Sequence, residues 1–134
     1  MIVDDSPEDL ELALLAFESS GLRGRIETAS CGEEALACLL GPQRGERPLP
    51  RVLVLDIMMP RVTGFDVLRS LRSDPSCKAL KIVMLTSSLE PVDVQRAAAL
   101  GADLYFRKPV RFEQFEELAR AIELLADSED RRPV

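Results

Sequence analysis

Along the whole chain, short apolar runs alternate with segments of helical period. Residues 1–3 read as a strand, short enough to suggest that its upstream part is missing. Ser6-Pro7-Glu8-Asp9 predicts a helix start, with Ser as N-cap, Pro at the first helical position and acids in the first turn. Leu10, Ala13, Leu14 and Phe17 recur at i, i+3, i+4 and i+7 and give that helix one apolar face, and Gly21 closes it. Residues 25–29 fit a second strand. Ser30-x-x-Glu33 has the form of a capping box, and Ala35, Leu36, Leu39 and Leu40 form the face of the next helix. Residues 41–50, with two Gly and three Pro, are a loop. Residues 51–55 predict a third strand. Gly64, Val67, Leu68 and Leu71 line a helix that stops before Asp74-Pro75. Residues 81–85 are a fourth strand, residues 91–100 an Ala-rich helix ended by Gly101, and residues 104–106 a fifth strand. Phe112, Phe115, Leu118, Ala119 and Ile122 line a last helix that frays near Asp127, leaving residues 1–126 as one domain and 127–134 as a loose polar tail.

Strands that alternate with helices predict an α/β fold: a doubly wound, five-stranded parallel sheet covered on both faces. Such sheets bind ligands beyond the carboxyl ends of their strands, where the strand order reverses. The residues at those ends therefore matter most. The first strand ends at Asp4-Asp5, the third at Asp56, the fourth at Thr86 followed by Ser87 and Ser88, and the fifth at Lys108-Pro109. The second ends at Ala29-Ser30, which carries no strong chemistry.

If the first and third strands are neighbours, about 4.8 Å apart, Asp4, Asp5 and Asp56 share one pocket. Like charges about 4 Å apart repel by roughly 4 kcal/mol at an intermediate dielectric. Either the carboxyls hold protons or cations balance them. An all-oxygen ligand set with open positions suits Mg²⁺, and Lys108 supplies a second positive charge. A carboxylate so placed can attack a phosphoryl group to form an acyl phosphate, with Lys108 and Thr86 binding phosphoryl oxygens.

Composition narrows the alternatives. The formal net charge of −6 over 134 residues argues against nonspecific nucleic-acid or anionic-membrane binding, and against reading Arg107, Lys108 and Arg111 as a nucleic-acid patch. The absence of histidine removes His-based acid–base catalysis and His metal ligands. Cys31, Cys38 and Cys77 have neither C-x-x-C nor zinc spacing and are expected to be free thiols in a reducing compartment. With no signal peptide and no run long enough to span a bilayer, the expected location is cytoplasmic.

Asp4-Asp5, Asp56-Ile57-Met58-Met59-Pro60 with Gly64, Leu85-Thr86-Ser87, and Gly101-Ala102-Asp103-x-Tyr105-x-x-Lys108-Pro109 occur in this order, each at a strand end. Together they resemble the receiver domain of two-component response regulators. The resemblance covers essentially the whole chain and implies the strand order 2-1-3-4-5 of a flavodoxin-like receiver sheet. It implies that Asp56 is the phosphoacceptor and that Asp4, Asp5, Asp56 and the backbone carbonyl of Met58 hold Mg²⁺. It also implies that Thr86 and Lys108 bind the phosphoryl group, that Thr86 and Tyr105 form the switch, and that the Lys108–Pro109 bond is cis. The implied partners are a sensor histidine kinase or phosphotransfer protein and a downstream protein target, with self-dimerisation as one output, and no nucleic acid or membrane. The output surface would be the fourth helix, fifth strand and fifth helix. The loop 41–50, the Ser73-Asp74-Pro75 turn and the absence of an output domain are similar to a stand-alone subgroup associated with phytochromes. Met58 and Ser88 stand where the family tunes acyl-phosphate hydrolysis, which implies slow to moderate self-dephosphorylation.

Three other functions compete with this one. A Mg²⁺-dependent phosphatase or phosphotransferase with an Asp nucleophile would want a second acid two residues on, where Met58 stands. A pseudo-receiver that only binds partners would be expected to lack one of the acids, the hydroxyl or the lysine. A flavodoxin-like cofactor binder would want Ser, Thr and Gly where Asp4-Asp5 lies.

Overall fold

The computed structural model describes residues 1–22, 24–41, 48–87 and 90–127. In chain order its elements are β1 (Ile2–Val3), α1 (Pro7–Ser19), β2 (Thr28–Ala29), α2 (Gly32–Leu40), β3 (Val52–Asp56), α3 (Gly64–Arg72), a 3₁₀ turn (Pro75–Cys77), β4 (Lys81–Thr86), α4 (Pro91–Ala99), β5 (Leu104–Arg107) and α5 (Phe112–Asp127). All strand pairs are parallel, in the order β2-β1-β3-β4-β5, as the sequence predicts.

Two cores flank the sheet because side chains alternate along each strand. Val3, Leu53, Leu55, Ile82 and Met84 point to one face and pack with α2, α3 and Ala97 of α4. Ile2, Val52, Val54, Val83 and Leu85 point to the other, against α1 and α5. There Phe17 and Phe115 meet edge to face, with ring centroids 5.9 Å apart. The predicted stripe on α1 is present, with Ala13 and Phe17 buried and Leu10 and Leu14 partly so; Ala16 joins the buried set.

The helix ends follow from local chemistry. Ser6 Oγ accepts the Asp9 N–H at 3.3 Å with Pro7 next in line, as expected. Gly21 takes φ +81° after α1, and the Leu22 N–H reaches back to the Phe17 carbonyl at 3.2 Å. At α2 the cap is displaced by one residue from the expected position. Cys31 Sγ accepts the Glu34 N–H, and Ser30 instead donates its N–H and hydroxyl to Glu34 Oε2 at 3.1 and 2.7 Å. An unpredicted capping box opens α3, where Thr63 and Asp66 bond each other's backbone N–H.

Two expectations are corrected. The second strand covers Thr28–Ala29 and not 25–29, because β1, its partner among the described residues, pairs two residues with it. The Lys108–Pro109 bond is trans, as are all the described peptide bonds; trans is the isomer favoured by about 0.5–1 kcal/mol in X–Pro bonds. The residues 42–47 of the predicted loop, Ser88 and the tail beyond Asp127 lie outside the described residues.

Asp103, part of the motif run, has a structural role. Its Oδ2 accepts the Ile82 N–H at 2.8 Å and pairs with Arg72 Nη2 at 3.0 Å, while Arg72 also donates to the carbonyls of Gly101 and Cys77. Both side chains of this pair are less than one-fifth exposed, at 19% and 18%. Arg72→Ala leaves that carboxylate without its cation and is expected to destabilise the protein by about 2–3 kcal/mol, the upper range for a charge-assisted bond. Urea denaturation measures it.

Candidate functional site: an acidic pocket at the strand tips

Register places the pocket. Ile2 pairs with Val54 and Val3 with Leu55, so one further residue along each strand sets Asp4 beside Asp56 on the same face of the sheet. Asp56 ends β3 opposite Leu85, which pairs in turn with Phe106, two residues before Lys108. Four strand tips thus meet where the strand order reverses between β1 and β3.

The predicted carboxylates do converge. One oxygen from each of Asp4, Asp5 and Asp56 lies within 4.8 Å of the others. Asp4 and Asp56 are buried, at 5% and 4% exposure, and Asp5 is exposed. Lys108 Nζ enters from β5 and lies 2.7 Å from Asp4 Oδ2 and 3.5 Å from Asp56 Oδ2. It also lies 2.8 Å from Asp9 Oδ2, a partner that the sequence reading assigned only to the first turn of α1. The signal available was position: only three residues separate β1 from α1, so an acid in the first turn of the helix faces the same pocket.

Burial pushes the Asp56 carboxyl up to about 6, opposed by the charge of Lys108 and reinforced by that of Asp4. For Lys108, burial alone would lower the pKa. Hydrogen bonds to Asp4 and Asp9 and the charge of Asp56 outweigh it and hold the ammonium above its usual range. At neutral pH, then, the pocket holds a firmly charged lysine and a carboxylate that is ionised at a cost.

Thr86 ends β4, buried, one step beyond the Leu85 that pairs with Asp56. Its side chain is hydrogen-bonded to the half-buried Tyr105. Burial raises the Tyr105 phenol and the bond to Thr86 partly offsets that. The two predicted switch residues are therefore in direct contact.

The loop after Asp56 is pinned by backbone bonds. The Ile57 N–H donates to the Leu85 carbonyl, and the Gly64 N–H donates to the Ile57 carbonyl at 3.0 Å. The Met58 N–H faces Asp56 Oδ1 at 3.4 Å, and the Met58 side chain is 69% exposed, pointing away from the core. Gly64 is required by close approach: a Cβ there would lie 2.5 Å from the Asp56 carbonyl oxygen and 2.7 Å from Ile57 Cα. Gly64→Ala is expected to push this loop outward, at about 1–3 kcal/mol of stability. Thermal melting reads the cost, and Mg²⁺ titration followed by NMR reads the displacement of Asp56.

The donor set fits a hard divalent cation. It is all oxygen, carries up to three negative charges, and one member, Asp5, faces solvent, where a cation can keep its waters. Among the described residues no helix is long and apolar enough to cross a membrane, and the three cysteines are free thiols.

A family model described as the response regulator receiver domain matches residues 1–120. The probable methanogenesis regulatory protein FilR2 of Methanothrix harundinacea is 35% identical over 123 residues, covering 92% of this chain and 77% of that protein. Some curated relatives are much longer, and the chain spans 49% and 23% of two of them. Among solved structures, the bacteriophytochrome response regulator RtBRR is 40% identical with a TM-score of 0.76, over 90% of this chain and 74% of that one. The phosphorylated cyanobacterial phytochrome response regulator RcpA is 26% identical with a TM-score of 0.81, over 95% of this chain and 91% of that one.

Proposed function

The chain belongs to the response regulator receiver family, and from that premise we propose that it is a phosphoacceptor switch, with Asp56 as the residue that takes the phosphoryl group. The observation that carries this is the convergence of Asp4, Asp5, Asp56 and Lys108 on one pocket at the sheet's reversal point. Residues 1–126 act as the receiver and 127–134 as a tail.

A phosphohistidine on a sensor kinase or phosphotransfer protein is the donor. An Asp56 oxygen bonds to phosphorus as the bond from phosphorus to the donor's nitrogen breaks, and that electron pair leaves with the imidazole. Mg²⁺, held by Asp4, Asp5, Asp56 and the Met58 carbonyl, supplies charge neutralisation when bound. Lys108 already carries the charge needed to pair with a phosphoryl oxygen. Thr86 offers its hydroxyl to another by leaving Tyr105, and Tyr105 then repacks. That exchange alters the surface made by α4, β5 and α5, where a downstream protein or a second copy docks. A bias of a few kcal/mol is enough to move such a two-state element. The exposed Met58 side chain cannot orient a water as an amide would, so the acyl phosphate is slow to moderate in its loss. The chemistry is self-modification and not turnover of a separate substrate. The likeness to RtBRR supports placement near the phytochrome-associated stand-alone regulators, and membership of the receiver family supports a cytoplasmic location.

The test is intact-mass measurement after incubation with acetyl phosphate or phosphoramidate and Mg²⁺. One phosphoryl increment, lost with EDTA and in Asp56→Asn, is the expected result. Donor turnover without an adduct would point to a phosphatase, and no reaction with either donor to a pseudo-receiver.

A further inference from the structure

We propose that Asp9 is a positioning residue that keeps Lys108 aimed at Asp56 when a cation occupies the carboxylate pocket. The inference rests on the phosphoacceptor reading and extends it to a residue outside the family motifs quoted above.

The geometry forms a closed ring. Asp4 Oδ1 accepts the Ser6 N–H at 3.0 Å, Ser6 Oγ accepts the Asp9 N–H at 3.3 Å, Asp9 Oδ2 lies 2.8 Å from Lys108 Nζ, and Lys108 Nζ lies 2.7 Å from Asp4 Oδ2. Both oxygens of Asp4 are thereby engaged. Two of the three N–H groups of Lys108 are taken by Asp4 and Asp9, and the third faces Asp56 at 3.5 Å.

A divalent cation drawn to Asp4, Asp5 and Asp56 competes with Lys108 for Asp4. Asp9 lies outside that carboxylate cluster and remains available to the ammonium. A cavity of about 30 Å³, bordered by Asp9, Leu12, Ala13, Lys108 and Pro109, lies alongside the lysine. A long flexible side chain next to free volume loses its aim unless an anchor holds it.

The experiment compares wild type with Asp9→Ala, Asp9→Asn and Asp9→Glu. Asp9 is half exposed and its N–H stays capped by Ser6, so these variants are expected to fold, and circular dichroism checks that. The first readout needs no phosphoryl chemistry. Lysines are acylated with an amine-reactive ester, with and without Mg²⁺, and Lys108 labelling is scored by peptide mapping against the exposed Lys78. Wild-type Lys108 is expected to stay protected in both conditions. In Asp9→Ala, Mg²⁺ should raise its labelling about fivefold, the scale of a partly exposed ion pair. The second readout is the rate of acetyl phosphate-dependent modification of Asp56, which should fall by a similar factor in Asp9→Ala and recover in Asp9→Glu. Equal Lys108 labelling with and without Asp9 overturns the proposal, as does an unchanged rate in Asp9→Ala. A wild-type protein that takes no phosphoryl group while its Lys108 is protected sinks the phosphoacceptor reading instead, so the two failures are distinguishable.

Discussion

Asp56→Asn is expected to make the metal-free protein more stable at pH 7 while abolishing phosphoryl uptake. The folded-state carboxyl is pushed up to about 6 from the ordinary aspartate value of 3.8, chiefly by burial. That rise corresponds to about 3 kcal/mol of cost for holding the charge. The sign follows from proton counts. Between the unfolded and folded pKa values the native state binds more protons than the unfolded chain, so stability falls as pH rises through that window. Above about pH 6 the full cost of Asp56 is present, and below about pH 4 it is gone. Urea midpoints in EDTA should therefore rise from pH 7 to pH 4.5 in the wild type by more than in Asp56→Asn. At pH 7 the variant should be stabler by up to about 3 kcal/mol. With Mg²⁺ the order should narrow or reverse, because the cation binds only the folded state and prefers the carboxylate to the amide. A variant no stabler than wild type in EDTA would mean that Asp56 is solvated in a way the burial does not indicate.

Lys108→Ala is expected to act in the opposite direction on stability and in the same direction on chemistry. It removes the cation shared by Asp4, Asp9 and Asp56 and leaves two buried acids facing each other. Breaking a buried pair by deleting one partner costs about 3–5 kcal/mol; with Lys108 itself about one-quarter exposed, at 23%, roughly 2–3 kcal/mol is expected. The loss should be larger at pH 8 than at pH 5, because Asp56, its carboxyl pushed up to about 6 by burial, takes up a proton at the lower pH and the repulsion is relieved. The rate of phosphoryl uptake from acetyl phosphate should fall by about 10²–10³, the usual effect of deleting a charge-stabilising donor. Denaturation at the two pH values and the time course of the mass increment check these separately. A stability loss that does not depend on pH would place the lysine's contribution in its stem and not in its charge.

These effects trace to features that differ in how far the sequence discloses them. Strand tips were legible because a buried parallel strand reads as an apolar run, and the first polar residue after it marks its end; Asp4, Asp56, Thr86 and Lys108 were all found that way. Alternation of elements points to a parallel, doubly wound sheet, but the strand order comes from the family likeness. Asp9 was not legible in the same way, because an acid in a helix's first turn has a sufficient local reason to be there. Only the three-dimensional meeting of α1 and β5 shows the second reason. The Cys31 cap was missed because Ser30 is the stronger capping residue by type, yet its hydroxyl is taken by Glu34. The second strand was drawn too long because the residue pattern carries no information on the length of its partner. The cis bond came from family likeness alone and had no support in the residues.

Tyr105 has an experimental consequence of its own. The chain contains one tyrosine and no tryptophan, so ultraviolet-excited emission comes from the single ring whose hydroxyl is tied to Thr86. Any event that draws Thr86 away changes that ring's surroundings directly. The unlabelled protein therefore carries its own optical gauge, and a stopped-flow trace of its intrinsic light can time the hydroxyl's departure against the appearance of the acyl phosphate.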